Sequence, residues 1–354
     1  MNDETLQTAA AWAARGDDVA VAQVVRTYRS APRPIGSAFA VSSSGEMAGS
    51  VSGGCVEGDI YGAAQRIFRG EDEAPRLIHY GISDDQAFEV GLACGGELWV
   101  ALDRWRPRPA LRRGAIAHVY GGADHGRTLV RDADAGLTTG DLEGPLRVVA
   151  EAAIDEAIAT ESSSAADLED GVTLFVESIH PAPRVVVVGA VDTAEALCRM
   201  ARTLGWRTAV VDPRGRFATP ERIPSADALL ASWPDVAYPE LALEPADHLV
   251  VLTHDAKIDD PSLTLALQAG VGYVGALGSR RTQEKRNERL REAGCTDEQI
   301  ARIHGPVGLD IGAHAPAETA VAILGEIIAY RSGRSGRHLK DTTGRIHPGD
   351  EQPA

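Results

Sequence analysis

Arg184-Val-Val-Val-Val-Gly-Ala-Val-Asp-Thr-Ala194 is the stretch that decides the fold. Four successive valines between His180-Pro-Ala-Pro183 and a glycine read as a strand apolar on both faces. Such a strand suits a parallel sheet covered on each side. Gly189 permits a tight turn, and residues 194–204 continue at helical spacing. Downstream the alternation recurs, with strands predicted over 208–212, 248–253 and 273–277 and helices over 282–293 and 316–330. The C-terminal half is therefore expected to be a Rossmann-like, doubly wound parallel sheet.

Upstream the texture is mixed α/β. Helical spacing covers 4–15, and 19–25 reads as a strand followed by a polar loop over 26–33. A hairpin is expected across 37–49, a helix ending near Phe68, and strands over 97–102, near His118 and Leu129, and over 172–177. A helix spans about 144–159, and 162–166 reads as loop. The proline linker places the domain boundary, giving 1–180 and 181–331. Residues 332–354 are too polar to order themselves and are read as a flexible tail.

A chain of 354 residues suits two domains, and 44% hydrophobic with 24% charged residues is a globular balance. The net charge of −16 argues against nucleic acid and anionic membranes as partners. No apolar run is long enough to span a bilayer, and Met-Asn-Asp-Glu-Thr lacks the features of a secretory signal, so the expected location is the cytoplasm. Cys55, Cys94, Cys198 and Cys295 are widely separated and read as thiols.

Two of those thiols lie among glycines, in Ser50-Val-Ser-Gly-Gly-Cys-Val-Glu57 and Gly91-Leu-Ala-Cys-Gly-Gly96. Glycine pairs let a backbone turn sharply and approach a ligand closely. Cys55 also opens a helix, where amide dipoles favour a thiolate suited to metal ligation or persulfide transfer. Cys94 precedes a strand and lacks that help. Two cysteines do not make a four-ligand zinc site. Ser52, Gly53, Gly54, Gly95 and Gly96 would shape the two turns. Glu57 would orient a ligand or act as a base, its plain alternative being an acid favoured by the helix dipole. Arg26, Arg29 and Arg33 can supply cations beside the same loop.

In the C-terminal half, Gly189 and Ala194 match the dinucleotide pattern Gly-x-Gly-x-x-Gly/Ala, but Val191 stands where the middle glycine admits a pyrophosphate. Asp212 falls where a ribose-binding carboxylate belongs. Gly275-Ala-Leu-Gly-Ser-Arg-Arg281 reads as an anion loop, with Gly278, Ser279, Arg280 and Arg281 as binding residues. Gly305-Pro-Val-Gly-Leu-Asp-Ile-Gly312 enters another helix, so Gly308, Asp310, Gly312 and Glu318 are further candidates; the two carboxylates can equally cap backbone amides.

Together these stretches, in this order and with Tyr273-Val-Gly-Ala-Leu-Gly-Ser-Arg-Arg281, resemble the XdhC/CoxI family of accessory factors for molybdenum hydroxylases. The resemblance implies an XdhC/CoxI domain followed by a Rossmann-like one. It implies that the protein binds molybdenum cofactor, as molybdopterin or its cytosine dinucleotide form. It further implies holding the cofactor while a cysteine desulfurase supplies the sulfido ligand, then delivery to an apo molybdenum hydroxylase. On that basis Cys55 would meet molybdenum or carry persulfide, with Cys94 as its partner, and Ser279, Arg280 and Arg281 would hold phosphate. Assembly as a homodimer is left open. The rival expectation is an NAD(P)-dependent oxidoreductase using the Rossmann half, against which Val191 argues. A third is a metal-storing scaffold.

Overall fold

The structure, a computed structural model, describes residues 3–28, 33–81 and 96–343. It divides into two compact units, the first ending at Pro181 and the second covering Ala182–Thr343.

Unit 1 holds two antiparallel sheets. The first is built from β1 (Val19–Tyr28), β2 (Ala38–Ser42), β3 (Met47–Gly49), β4 (Arg76–Tyr80) and β5 (Glu97–Arg104), in the order β3-β2-β1-β5-β4. Two helices, α1 (Asp3–Ala14) and α2 (Glu57–Phe68), pack on it. Strand alternation sorts the side chains of β1. Ala20, Ala22 and Val24 meet Ile60, Ala63, Ala64 and Ile67 of α2, whereas Val19 and Val21 join Ala9 and Trp12 of α1.

The second sheet comprises β6 (Gly114–Tyr120), β7 (Thr128–Asp132), β8 (Leu137–Gly140), β9 (Ser164–Asp167) and β10 (Thr173–Ile179), in the order β8-β7-β6-β10-β9. Ala115, Ala117 and Val119 pack on α3 (Gly144–Thr160), while Tyr120 and Phe175 on the opposite face meet Val25 and Ala101 of the first sheet. The sheets are also pinned by polar bonds. Arg26 grips Asp167 through two hydrogen bonds of 2.5 and 2.8 Å, and Gln23 donates to Glu177 at 2.8 Å.

Two expectations are corrected in this unit. β1 does not end at Val25: past a bulge between Val24 and Arg26 it stays paired with β5 as far as Tyr28. Arg26 is thus a strand residue held by Asp167 and is not part of a ligand-facing cluster. The 162–166 stretch is not loop, because Ser164–Asp167 forms an edge strand on β10 whose ladder compensates for its weak composition.

Unit 2 runs β11 (Arg184–Val188), α4 (Asp192–Thr203), β12 (Arg207–Val211), β13 (Ala228–Leu230), α5 (Pro234–Leu241), β14 (His248–Val251), α6 (Ala256–Gln268), β15 (Tyr273–Ala276), α7 (Arg280–Glu292), α8 (Asp297–Ala301), β16 (Ile303–His304) and α9 (Pro316–Arg331). Its parallel sheet has the order β13-β12-β11-β14-β15-β16, the doubly wound arrangement with its switch point between β11 and β14. Val185 and Val187 are buried in the cluster that includes α4 and α9, and Val186 and Val188 in the one that includes α6. That two-sided burial is what the valine run requires. No helix among the described residues is long and apolar enough to cross a membrane.

Candidate functional site

The glycine-cysteine turn of unit 1 lies between β3 and α2. Its frame is a single carboxylate. Glu57, the first residue of α2, accepts from the Ser50 hydroxyl (2.6 Å) and the amides of Val51 (3.0 Å) and Ser52 (2.9 Å) on one oxygen. Its other oxygen accepts from the Ser52 hydroxyl and the amides of Gly54 (2.9 Å) and Val56 (3.2 Å). The Ser52 hydroxyl oxygen in turn receives the amides of Cys55 and Val56, at 2.9 and 3.0 Å. Burial alone would raise the Glu57 pKa, but the bonds from Ser50 and Ser52 outweigh it and hold the group at about 2. A carboxylate this acidic and this fully engaged is no general base. Of the roles expected for Glu57 from sequence, the geometry disfavours the base and matches the residue that shapes the loop, filling the anion position at the helix N-terminus itself.

Outside this clamp the turn is open. Gly53 and Gly54 have φ of +80° and +115°, and a Cβ at either would meet nothing within 4 Å. Glycine is demanded here by backbone conformation and not by crowding. Gly54→Ala should therefore cost about 1–2 kcal/mol in a denaturant titration, from strain alone. A loss well above that would mean that the turn rearranges. Cys55, next in the chain, is half-buried against the Ile60 side of the core and is a free thiol. Gly96 is buried immediately before β5; Cys94 and Gly95 lie outside the described residues, as does Arg29. Arg33 is exposed.

In unit 2 the candidates fall on loops at the C-terminal ends of the strands, where doubly wound sheets bind ligands. Gly189 has φ of +110°, and a Cβ there would meet the Thr253 side chain at 2.6 Å. Asp212 is fully buried. It accepts from the Ala190 amide (2.9 Å) and from both the backbone and the guanidinium of Arg214, at 2.7–2.9 Å. Burial works to raise its pKa, but Arg214 and the Ala190 amide bring it below the usual carboxylate range. The geometry does not favour the ribose-binding role expected for Asp212, because the carboxylate already joins β11 to β12 through the first turn.

Ser279 caps α7 by accepting from the Thr282 amide at 3.1 Å, so its hydroxyl is structural. Arg280 and Arg281 are exposed in the first turn of that helix, with no ion pair among the described residues and no acidic neighbour in the turn. Two unpaired cations against a positive helix end form a surface that favours an anion. Gly278 and Gly308 adopt φ of +150° and +109°; the Gly308 amide donates to Glu326 at 2.6 Å. Asp310 and Gly312 are exposed. Glu318 folds back onto the amides of Ala315 (3.0 Å) and His314 (2.9 Å), which lower its pKa; this is the capping role, one of its two expected readings.

Matches to known proteins fall on both units. A model described as the XdhC and CoxI family matches residues 12–81, and one described as the XdhC Rossmann domain matches residues 185–327, together more than half of the chain. The chain belongs to the XdhC/CoxI family. Among relatives, a protein of Bacillus subtilis (strain 168) named as a probable xanthine dehydrogenase subunit is 27% identical over 319 residues, 89% of this chain and 94% of that protein. The molybdenum cofactor insertion chaperone PaoD of Escherichia coli (strain K12) is 25% identical over 319 residues, 89% of this chain and 84% of PaoD. A crystal structure of a protein described as a xanthine dehydrogenase from Bacillus halodurans superposes with a TM-score of 0.73 at 21% identity, covering 94% of this chain and 96% of that one. That likeness shows the fold.

This XdhC/CoxI chain also contains site features that its sequence does not announce. His254, after β14, holds φ of +64°, a strained value for a residue with a Cβ. Nearby, the Thr253 hydroxyl donates to Asp259, which meets the fully buried Arg286 at 3.3 Å. Glu326 of α9 gathers His304, Tyr273 and the Gly308 amide at 2.6–2.9 Å, fixing the glycine-rich loop. Among the described residues no three His, Cys, Asp or Glu side chains converge as a metal cage.

Proposed function

We propose that this protein carries molybdenum cofactor as cargo, holds it while its terminal sulfido ligand is installed, and delivers it to an apo molybdenum hydroxylase of the xanthine or CO dehydrogenase type. The observation that carries the proposal is Cys55: a free, part-exposed thiol on a turn made rigid by Glu57, beside two glycines over which the space is open. As thiolate it is a soft ligand suited to molybdenum or to a sulfur relay. The clamp means that the thiol is positioned before any ligand arrives, so little ordering entropy is lost on binding. Supporting the reading, one relative is named as a molybdenum cofactor insertion chaperone and another as part of a xanthine dehydrogenase. In unit 2, Arg280 and Arg281 suit a phosphate, which every form of the cofactor bears. Sulfuration by a cysteine desulfurase and a location in the cytoplasm complete the proposal. For the oxidoreductase alternative, Asp212 is a poor ribose acceptor because its own neighbours occupy it.

The test is the full-length protein purified anaerobically from a molybdenum-replete host, followed by oxidation and measurement of pterin fluorescence. Wild type should yield pterin, and Cys55→Ala about a tenth as much or less, with an unchanged melting curve. Equal yields would remove Cys55 from the site. Bound zinc or iron without pterin in the wild type would favour a metal-storing protein instead.

A further inference from the structure

Between the two sheets of unit 1 lies a cavity of about 210 Å³, distinct from the cysteine turn. Val21 and Ala101 give it apolar walls on one sheet, and Ile116 and Val130 on the other. Its polar lining includes Asp103 from β5 with His118 and Tyr120 from β6, alongside Gln23, Thr128 and the basic side chains of the rim. His118 and Tyr120 are two apart on one strand and so share a face. The connection Arg104-Trp-Arg-Pro-Arg-Pro109 runs along the rim.

The polar groups at the lining and directly behind it divide into two sets. Glu177, Gln23 and Arg108 satisfy one another: Arg108 donates to Glu177 at 2.6 Å, and Gln23 donates to Glu177 at 2.8 Å. The other set is unsatisfied. His118 Nε2 is buried with no hydrogen-bond partner, and the nearest carboxylate, that of Glu177, stands 3.9 Å away. Burial pushes His118 down to about 4, against the pull of Glu177, so a neutral imidazole faces the cavity at pH 7. The Tyr120 hydroxyl has no partner among the described residues, although the residue is only 8% exposed. Asp103 accepts the Arg104 amide at 2.7 Å on one oxygen, its other oxygen has no hydrogen-bond partner among the described residues, and burial raises its pKa against the pull of Arg106. Buried polar groups are nearly always hydrogen-bonded, so the orphaned His118 Nε2, with Tyr120 and Asp103 beside it on the same lining, points to a missing ligand.

We propose that this inter-sheet cavity binds a flat nitrogen heterocycle whose edge carries two adjacent N–H donors, as a pterin or a guanine-type purine does. The Asp103 carboxylate would receive the donor pair, for which it has lone pairs enough beside the Arg104 amide. His118 and Tyr120 would bond the remaining ring nitrogen and oxygen, and the apolar walls would cover the ring faces. The assignment rests on the cavity alone and survives if Cys55 carries no cofactor. A pterin ligand would make the cavity part of cargo recognition; a purine ligand would make it a separate site.

The experiment titrates the full-length protein with neopterin in one arm and guanosine in the other, read by calorimetry. At least one should bind, identifying the source. Asp103→Asn should weaken that binding about tenfold or more, and Tyr120→Phe, which keeps the ring packing, about threefold to fivefold. Cys55→Ala should leave it unchanged. Should Asp103→Asn fail to fold, Tyr120→Phe still reports on the cavity. Absence of binding in both arms at roughly millimolar ligand overturns the proposal. So does binding that neither Asp103→Asn nor Tyr120→Phe weakens.

Discussion

Glu57→Ala should destabilise unit 1 by about 3–4 kcal/mol, seen as a lower denaturant midpoint with an unchanged slope. The side chain is short, but six donors converge on it, and α2 begins from the turn it organises. Removing it leaves two serine hydroxyls and four amides to be satisfied by water, which reaches Gly53 and Gly54 but not the buried Val51, Ser52 and Val56. Glu57→Gln should recover only part of the loss. Whichever end carries the amide nitrogen would point a donor at two backbone N–H groups. The pH dependence follows from the same contacts. With the folded value near 2 and an ordinary value of 4.5, the contribution is complete above about pH 5 and fades as pH falls toward 2. Allowing for partial exposure, this amounts to about 2 kcal/mol. In Glu57→Ala that portion of the acid sensitivity should vanish. A midpoint shift below about 1 kcal/mol would show that water replaces the clamp.

Arg286→Met should cost unit 2 about 3–5 kcal/mol, enough to lower its melting transition visibly in calorimetry. Arg286 is 1% exposed, donates to Gln283 (2.6 Å) and the Leu277 carbonyl (2.9 Å), and pairs with the equally buried Asp259. Its Nε is buried without a hydrogen-bond partner, so this ion pair is imperfectly compensated even in the native state. Burial already raises the Asp259 pKa despite the Thr253 hydroxyl and Arg286. Without the guanidinium the carboxyl must take up a proton or bury an uncompensated charge. Adding Asp259→Asn to Arg286→Met should return most of the stability, because the orphaned charge goes while the Thr253 bond can remain. A double variant no better than the single one would assign the loss to packing.

The sequence declared those features whose physics is local. The valines of 185–188 are apolar on both faces because the strand is covered on both faces, and the parallel sheet follows. The cysteine turn was equally legible, since Gly53 and Gly54 stand where only glycine is unstrained. Partnership was harder to read. Asp212 has the spacing of a ribose ligand whether it faces solvent or, as found, folds onto Arg214 and the Ala190 amide. Glu57 and Glu318 look alike as helix-start acids, yet one organises an entire turn and the other caps two amides. Arg286 sits in Arg280-Arg-Thr-Gln-Glu-Lys-Arg286, a run that reads as solvated. Its burial emerges only when Gln283, Arg286 and Leu290 are seen to share the inward face of α7. The helices α5 and α6 were hidden by internal prolines, Pro239 and Pro261, and β9 by the small side chains of an edge strand.

Every bond of the Glu57 clamp spans seven residues or fewer, whereas β1, already paired with the nearby β2, must await β5, roughly seventy positions on or more, to gain its second partner. A ribosome adding roughly 5–20 residues per second needs seconds to deliver that strand, while a loop of this length closes in well under a microsecond. During synthesis, the segment bearing Cys55 can therefore adopt its final shape ahead of the completed sheet that will support it.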